Sequence, residues 1–276
     1  EGVAWDPKRR RLLVGSMVRR QIFAADAEGK LTPLFAPATR DIPGVLGIEV
    51  DAKRDRVWAA AASFPVMQGY DPERDAGRGG VYAFDLETGA VVAAHASPEG
   101  TSVNDLAVLD DGTVVATDSL SGALLVVRPD TAEGAPLERL LPAESFFAPN
   151  GITARDRTLW VGDFAGLHRV DVDTLEITRV SLPSNVTTLA GIDGLDRHGD
   201  DLYALQNLFG PGRVWRLTLA PDGDAITRAT LLDVDHPSYA GPTTGAVADG
   251  RYLYIADAGM QFSPKGLVPA PEGRRH

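Results

Sequence analysis

The sequence predicts an all-β fold, a six-bladed β-propeller whose four-stranded antiparallel blades surround a central channel, and three observations predict it. The first is a repeated phrase: Glu1-Gly2-Val3-Ala4-Trp5, Leu46-Gly47-Ile48-Glu49-Val50, Asn104-Asp105-Leu106-Ala107-Val108, Asn150-Gly151-Ile152-Thr153-Ala154, Asp193-Gly194-Leu195-Asp196 and Thr244-Gly245-Ala246-Val247. The second is its spacing of 43 to 58 residues, which suits one blade per repeat and is too long for short solenoid repeats. The third is the pattern that each phrase leads into. A polar turn such as Arg155-Asp156-Arg157 or Asp249-Gly250 precedes a second apolar run, Leu159-Trp160-Val161 or Tyr252-Leu253-Tyr254-Ile255, and this is the grammar of a β-hairpin.

Taken in chain order, the first blade has strands at 3–5, 11–14 and 21–25, with Lys8-Arg9-Arg10 as a turn and Pro33, Pro37 and Pro43 marking the exit. The second has strands at 48–50, 57–61 and 81–84, with an insert over 63–80 that carries Phe64, Met67 and Tyr70. So long a loop is expected either to wall a pocket or to fold onto its blade. The third blade covers 104–141 and the fourth 150–182. The fifth, from Asp193, reads most cleanly: 202–205, 214–219 and, after the Asp222-Gly223 turn, 226–232. The sixth starts at Thr244, shows 252–256, and then decays through Ser263-Pro264-Lys265-Gly266 into a basic, Pro-rich tail ending at His276. Propellers protect their edges by closing the ring, and closure here falls to that tail or to a strand upstream of Glu1. No helix is expected.

The 276 residues read as one domain, 1–276. With 44% hydrophobic and 24% charged residues the composition is that of a soluble globular chain, and no apolar stretch is long enough to span a bilayer. A net charge of −11 opposes phosphate backbones and anionic lipid. The expected partner is a small-molecule substrate, with no nucleic acid, no membrane and a monomeric state. The absence of cysteine excludes disulfides, thiolate nucleophiles and zinc–sulfur sites, and leaves cytoplasm or periplasm open. No signal peptide is legible.

In a propeller the first strand of each blade lines the channel, so the lead residues of all six phrases fall at one end of it. Any single Asn-Gly or Asp-Gly reads as a turn. Four oxygen donors in one repeat phase do not. Glu1, Asn104, Asn150 and Asp193 supply two carboxylates and two amide carbonyls, without imidazole or thiolate. That set suits calcium, with magnesium or manganese in its place; copper is disfavoured, and zinc is possible but less natural. Leu46 and Thr244 donate little and leave one side of the ring open for substrate.

The phrases Glu1-Gly2-Val3-Ala4-Trp5, Val103-Asn104-Asp105, Pro149-Asn150-Gly151 and Ile192-Asp193-Gly194 resemble those of the senescence-marker-protein/gluconolactonase family, over nearly the whole chain. The related diisopropylfluorophosphatases and paraoxonases use a similar ring. The resemblance implies a six-bladed propeller with a catalytic divalent ion, usually calcium, that hydrolyses lactones or phosphoesters. Glu1, Asn150 and Asp193 would be metal ligands, Asn104 a further ligand or substrate contact, and Asp193 also the general base. Sugar-lactone hydrolases of the family carry an arginine where this chain has Ser102. Together with Phe64, Met67, Phe146, Phe147, Leu208, Phe209, Met260 and Phe262 in loops expected at the mouth, this predicts a more apolar substrate. Ser102, Phe64, Phe147 and Asn104 are the expected substrate contacts.

His236 in Asp235-His236-Pro237 is a further candidate donor in the pocket. His95, His168 and His198 lie outside the lead phase and read as structural. Asp118, Asp163 and Asp257 end second strands and are expected to accept hydrogen bonds from loop backbone, or else to orient ligands. No Ser-His-Asp order and no phosphate-cradling glycine loop is legible. The leading expectation is therefore a metal-dependent lactonase in which water attacks a polarised carbonyl. The alternatives are a non-catalytic interaction propeller with a structural calcium, and a lyase or isomerase on the same scaffold.

Overall fold

Residues 1–35, 42–239, 241–263 and 266–269 are described by a computed structural model. Of the expected features, Pro37, the tail ending at His276 and the side chain of Phe262 lie outside the described residues. Five four-stranded antiparallel sheets form, each from consecutive strands. The first is β1 (Val3–Asp6), β2 (Arg11–Ser16), β3 (Gln21–Ala25) and β4 (Leu31–Pro33); the second is β5 (Gly44–Asp51), β6 (Arg56–Ala62), β7 (Gly79–Asp85) and β8 (Val91–Ala96). The third is β9 (Val103–Val108), β10 (Val114–Asp118), β11 (Leu124–Val127) and β12 (Glu138–Leu141). The fourth is β13 (Ile152–Arg155), β14 (Thr158–Gly162), β15 (Leu167–Asp171) and β16 (Ile177–Arg179). The fifth is β17 (Ile192–His198), β18 (Asp201–Gln206), β19 (Arg213–Leu219) and β20 (Ile226–Val234).

The expected sixth four-stranded blade is not formed among the described residues. In its place stand two two-stranded sheets, β21 (Gly245–Ala248) with β22 (Arg251–Tyr254), and β23 (Met260–Ser263) with β24 (Gly266–Pro269). The interruption has a local cause. Ala256-Asp257-Ala258-Gly259 breaks the apolar run after Ile255, Gly259 takes a positive φ of 66°, and the Asp257 carboxylate binds the Gly259 N–H, so the chain turns before a third strand starts. The ring is nonetheless closed at its centre, because β21 packs between β17 and β1 just as β5, β9 and β13 pack between their neighbours. The first blade needs no borrowed strand, its four being drawn from residues 3–33.

The core lies between adjacent sheets. Leu13, Ile22, Val57 and Phe84 join the first two blades, and Trp58, Val81, Leu106 and Leu125 the next two. Val115, Leu124, Leu159 and Val161 fill the following gap, and Trp160, Leu202 and Leu217 the one after it. Strands with a blade on each side are buried on both faces, as in β10, while the outer β4 is exposed throughout. Trp160 shows the fit required: its indole N–H donates to the Gly223 carbonyl at 2.9 Å, and a Cβ on Gly223 would lie 2.5 Å from the ring.

The insert folds onto its blade. Met67 is buried, with its sulfur accepting the Gly44 N–H at 2.9 Å, and the fully buried Asp75 carboxylate is bound by Arg74 at 2.6 Å and Arg78 at 3.3 Å. One feature of the insert corrects the expectation of no helix: α1 (Pro72–Asp75), opened by Asp71, whose carboxylate caps the Glu73 N–H at 2.9 Å. Among the described residues no helix is long and apolar enough to cross a membrane.

Candidate active site at the head of the channel

All six lead positions meet. Glu1, Leu46, Asn104, Asn150, Asp193 and Thr244, with Gly47, Asp105 and Gly194, line one cavity of about 20 Å³. That volume admits about one water-sized species. The glycines of the repeated phrase explain the convergence. A Cβ on Gly2 would stand 2.2 Å from the Leu46 carbonyl oxygen, one on Gly151 2.4 Å from that of Asp193, and one on Gly194 2.5 Å from Thr244 Cα. None of the three has a positive φ, so these are not turn glycines; they are where neighbouring inner strands approach too closely for any side chain.

The amides of the ring are held by their nitrogens. Asn104 Nδ2 donates to Ser119 Oγ at 2.9 Å, and that hydroxyl donates to the Pro149 carbonyl at 2.7 Å, which fixes the serine as acceptor and the asparagine as donor. Asn150 donates to the Asp193 carboxylate. Their carbonyl oxygens are left as acceptors. Burial, and next the repulsion of Glu1, push the Asp193 carboxyl up to about 8. No lysine, arginine or histidine lines the cavity. Three carboxylates, those of Glu1, Asp193 and Asp105, the last also bound to a neighbouring strand, and two amide oxygens around a space for one small species, with no basic side chain beside them, are chemically matched to a hard divalent ion. Among the described residues no group of three or more His, Cys, Asp or Glu side chains could hold a metal, so any ion here depends on the asparagine oxygens as well.

Below the ring the channel widens to about 230 Å³ and carries more acid: Glu49, Asp105 and Asp196, with Arg197 and His198. Here each carboxylate accepts a backbone N–H from the next inner strand. Glu49 takes that of Val108 at 2.8 Å, Asp105 that of Ile152 at 3.2 Å, and Asp196 that of Val247 at 2.7 Å. Arg197 reciprocates by donating to the Ala154 carbonyl at 2.8 Å. These side chains staple blade to blade. Burial pushes Glu49 up to about 8 and Asp105 up to about 7, with Asp196 repelling both.

Beside the ring, Glu1 also borders a cavity of about 320 Å³ between the first blade and the loop before β23. Its walls are mostly apolar, with Met17, Val18, Phe23, Ile255 and Met260, and Arg19 and Asp257 at its edge. Of these, Met260 is one of the residues expected at the mouth. Met17, Val18 and Arg19 sit in the β2–β3 turn and carry no motif that singles them out in the sequence.

The remaining expected residues divide. Phe64 packs against Met17, Leu46 and Met260, next to the ring. Phe147 is 68% exposed, its ring 5.3 Å from Phe164, which meets Phe209 edge-on at 5.6 Å. Phe146 and Met67 are buried anchors. Ser102 and His236 line neither the ring cavity nor the one beside it: the Ser102 N–H is bound by Asp118 at 2.7 Å, and His236 is exposed, its Nδ1 accepting from Ser238 N–H at 3.2 Å. Asp118 and Asp163 accept from loop backbone as expected, the latter from Phe147, Ala165 and Gly166, and His168 contacts Asp163 at 3.1 Å. His95 is buried against the Ala135 carbonyl at 2.8 Å.

No protein-family model matches the chain. No curated protein matches it either. Solved structures do. One from a nidogen/laminin complex aligns with TM-score 0.61 at 16% identity, covering 89% of this chain and 85% of that one. A gluconolactonase from Xanthomonas campestris aligns with TM-score 0.59 at 18% identity, covering 94% and 83%. Virginiamycin B lyase from Staphylococcus aureus aligns with TM-score 0.58 at 15% identity, covering 99% and 85%. A component of a nidogen/laminin complex, a gluconolactonase and a lyase are thus about equally similar, so the likeness carries fold and not chemistry. The chain is an all-β propeller of the kind these proteins share, at low identity to each.

Proposed function

We propose that this chain is a gluconolactonase-like, divalent-metal-dependent hydrolase of lactones or related esters, with β21–β22 and β23–β24 together standing as the sixth blade. The observation that carries the reading is the convergence of six repeat-equivalent lead residues, four of them oxygen donors, on one cavity lined by no basic side chain. Glu1, Asn104, Asn150 and Asp193 would hold the ion, calcium by preference, with magnesium, manganese or zinc able to replace it. When bound, a divalent ion supplies Lewis-acid polarisation of a carbonyl.

Asp193 would be ionised by the ion, whose charge offsets the burial and the Glu1 repulsion that otherwise raise its proton affinity. In turnover the carboxylate takes the proton of the attacking water. The water oxygen adds to the carbonyl carbon, the ring C–O bond breaks, and the leaving oxygen regains the proton, giving a hydroxy acid. The apolar cavity beside Glu1, backed by Phe64, receives the non-reacting part of the substrate.

The test is hydrolysis of a panel of lactones, aryl esters and phosphotriesters by the purified protein. Turnover that disappears in chelator and returns with calcium is expected. If calcium raises the melting temperature while no substrate turns over, the propeller is an interaction module with a structural ion and the hydrolase reading fails.

A further inference from the structure

The amide of Asn207, the first residue after β18, stands behind Asp193 rather than in the ring cavity. Its Nδ2 donates both to Asp193 Oδ2 and to the Pro242 carbonyl, two residues ahead of Thr244. The Pro242 carbonyl can only accept, so the opposite amide orientation would set oxygen against oxygen there, and the donor role is fixed by chemistry. Asn207 Oδ1 is buried with no hydrogen-bond partner. What distinguishes Asn207 is its pair of N–H donors, which tie one ring carboxylate to the strand entry that brings in Thr244.

We propose that Asn207 is a positioning residue. By holding Oδ2 of Asp193, it fixes the carboxylate against the neighbouring blade and presents the group, which Asn150 meets from the ring side, to a cation in the ring. The proposal rests on the metal-dependent reading of the ring. Groups that orient metal ligands in this way change metal affinity or activity by about 10- to 100-fold when removed.

The experiment uses the full chain with terbium(III) as a luminescent probe of the ring, alongside calcium-dependent turnover and thermal melting in chelator. Asn207→Leu, of similar volume without donors, is expected to weaken terbium binding by about 10- to 100-fold and to lower kcat by a similar factor, with KM little changed. Its melting temperature in chelator should fall modestly, because the Pro242 carbonyl loses its donor, and by less than that of variants in which terbium affinity is lost through unfolding. Asn207→Asp, which faces one carboxylate with another, should be at least as impaired, and Asn207→Gln, which keeps the amide on a longer stem, should recover part of the affinity. Terbium affinity of Asn207→Leu within twofold of the parent overturns the proposal. So does a loss of affinity that simply follows loss of melting temperature across the three variants, because a structural role predicts that pattern. If the parent binds terbium and Asn207→Leu does not, yet no substrate turns over, the positioning role stands and the hydrolase reading falls.

Discussion

The head of the channel and its lower half are both acidic, and they differ in what answers the charge. In the lower half, Glu49, Asp105 and Asp196 each accept a backbone N–H from the adjoining inner strand, and Arg197 returns a bond to β13. At the head, Asp193 is met by the side-chain amides of Asn150 and Asn207 and by the repulsion of Glu1. Carboxylates answered by the polypeptide hold blades together. Carboxylates met by side-chain amides, with no backbone N–H from the next strand, are not the blades' staples, and this contrast is the physical ground for locating chemistry at the head.

Paired substitutions break or sharpen that contrast. The largest effect is expected from Asp193→Asn, which should lower calcium-dependent turnover by about 10²- to 10⁴-fold, the usual scale of a lost general base. Melting in chelator should change little below about pH 8, since the ion-free Asp193 carboxyl already holds its proton there; steady-state kinetics and a thermal melt on the same sample check both halves. Asp196→Ala should do the reverse. It leaves the Val247 N–H unpaired and should cost about 1–3 kcal/mol by urea denaturation, with turnover per folded molecule nearly unchanged. Asp196→Asn, which keeps an acceptor, should recover most of that stability.

A smaller effect is expected from pH. Asp193 and Glu49, raised to about 8, and Asp105, raised to about 7, bind protons more tightly folded than unfolded. Stability therefore falls with rising pH wherever the folded state holds the extra protons, between the ordinary carboxylate range near pH 4 and about pH 8. Melting temperatures of the chelated protein across that window should decline, and calcium should flatten the decline most at its upper end. A chelated protein that becomes more stable as pH rises from 5 to 8 would contradict this assignment of the channel acids. The smallest effect is expected at Phe147, which is exposed beside Phe164 and lines neither cavity of the candidate site. Phe147→Ser should leave stability within about 0.5 kcal/mol, as surface substitutions usually do, while raising KM for apolar substrates more than for polar ones.

Five blades were legible because each repeats the same grammar, an apolar run, a polar turn and a second apolar run, and because their sheets pair consecutive strands. The last was not, since Asp257 to Gly259 turn the chain where a third strand was due. The helix at Pro72 spans four residues, too few for a periodic signal; Asp71-Pro72 was its one cue. The lead residues could be read because they share a phase. The staples could be read only in part: Glu49 and Asp196 both stand three residues after a lead position, whereas Asp105 stands one after, and nothing in the sequence says which inner-strand side chains face the channel. The phrase's glycines were visible from the start, but the reason for them, the approach of Gly151 to the Asp193 backbone, exists only in three dimensions. Asn207 follows β18 rather than leading an inner strand, with no repeat to mark it.

The decisive measurement is a calorimetric calcium titration of the chelated parent protein, Asp193→Asn and Asp196→Asn. Uptake by the parent is expected, with its loss in Asp193→Asn and its persistence in Asp196→Asn. A parent protein that takes up no ion, or an Asp193→Asn variant that binds as the parent does, would contradict a cation site at the head of the channel.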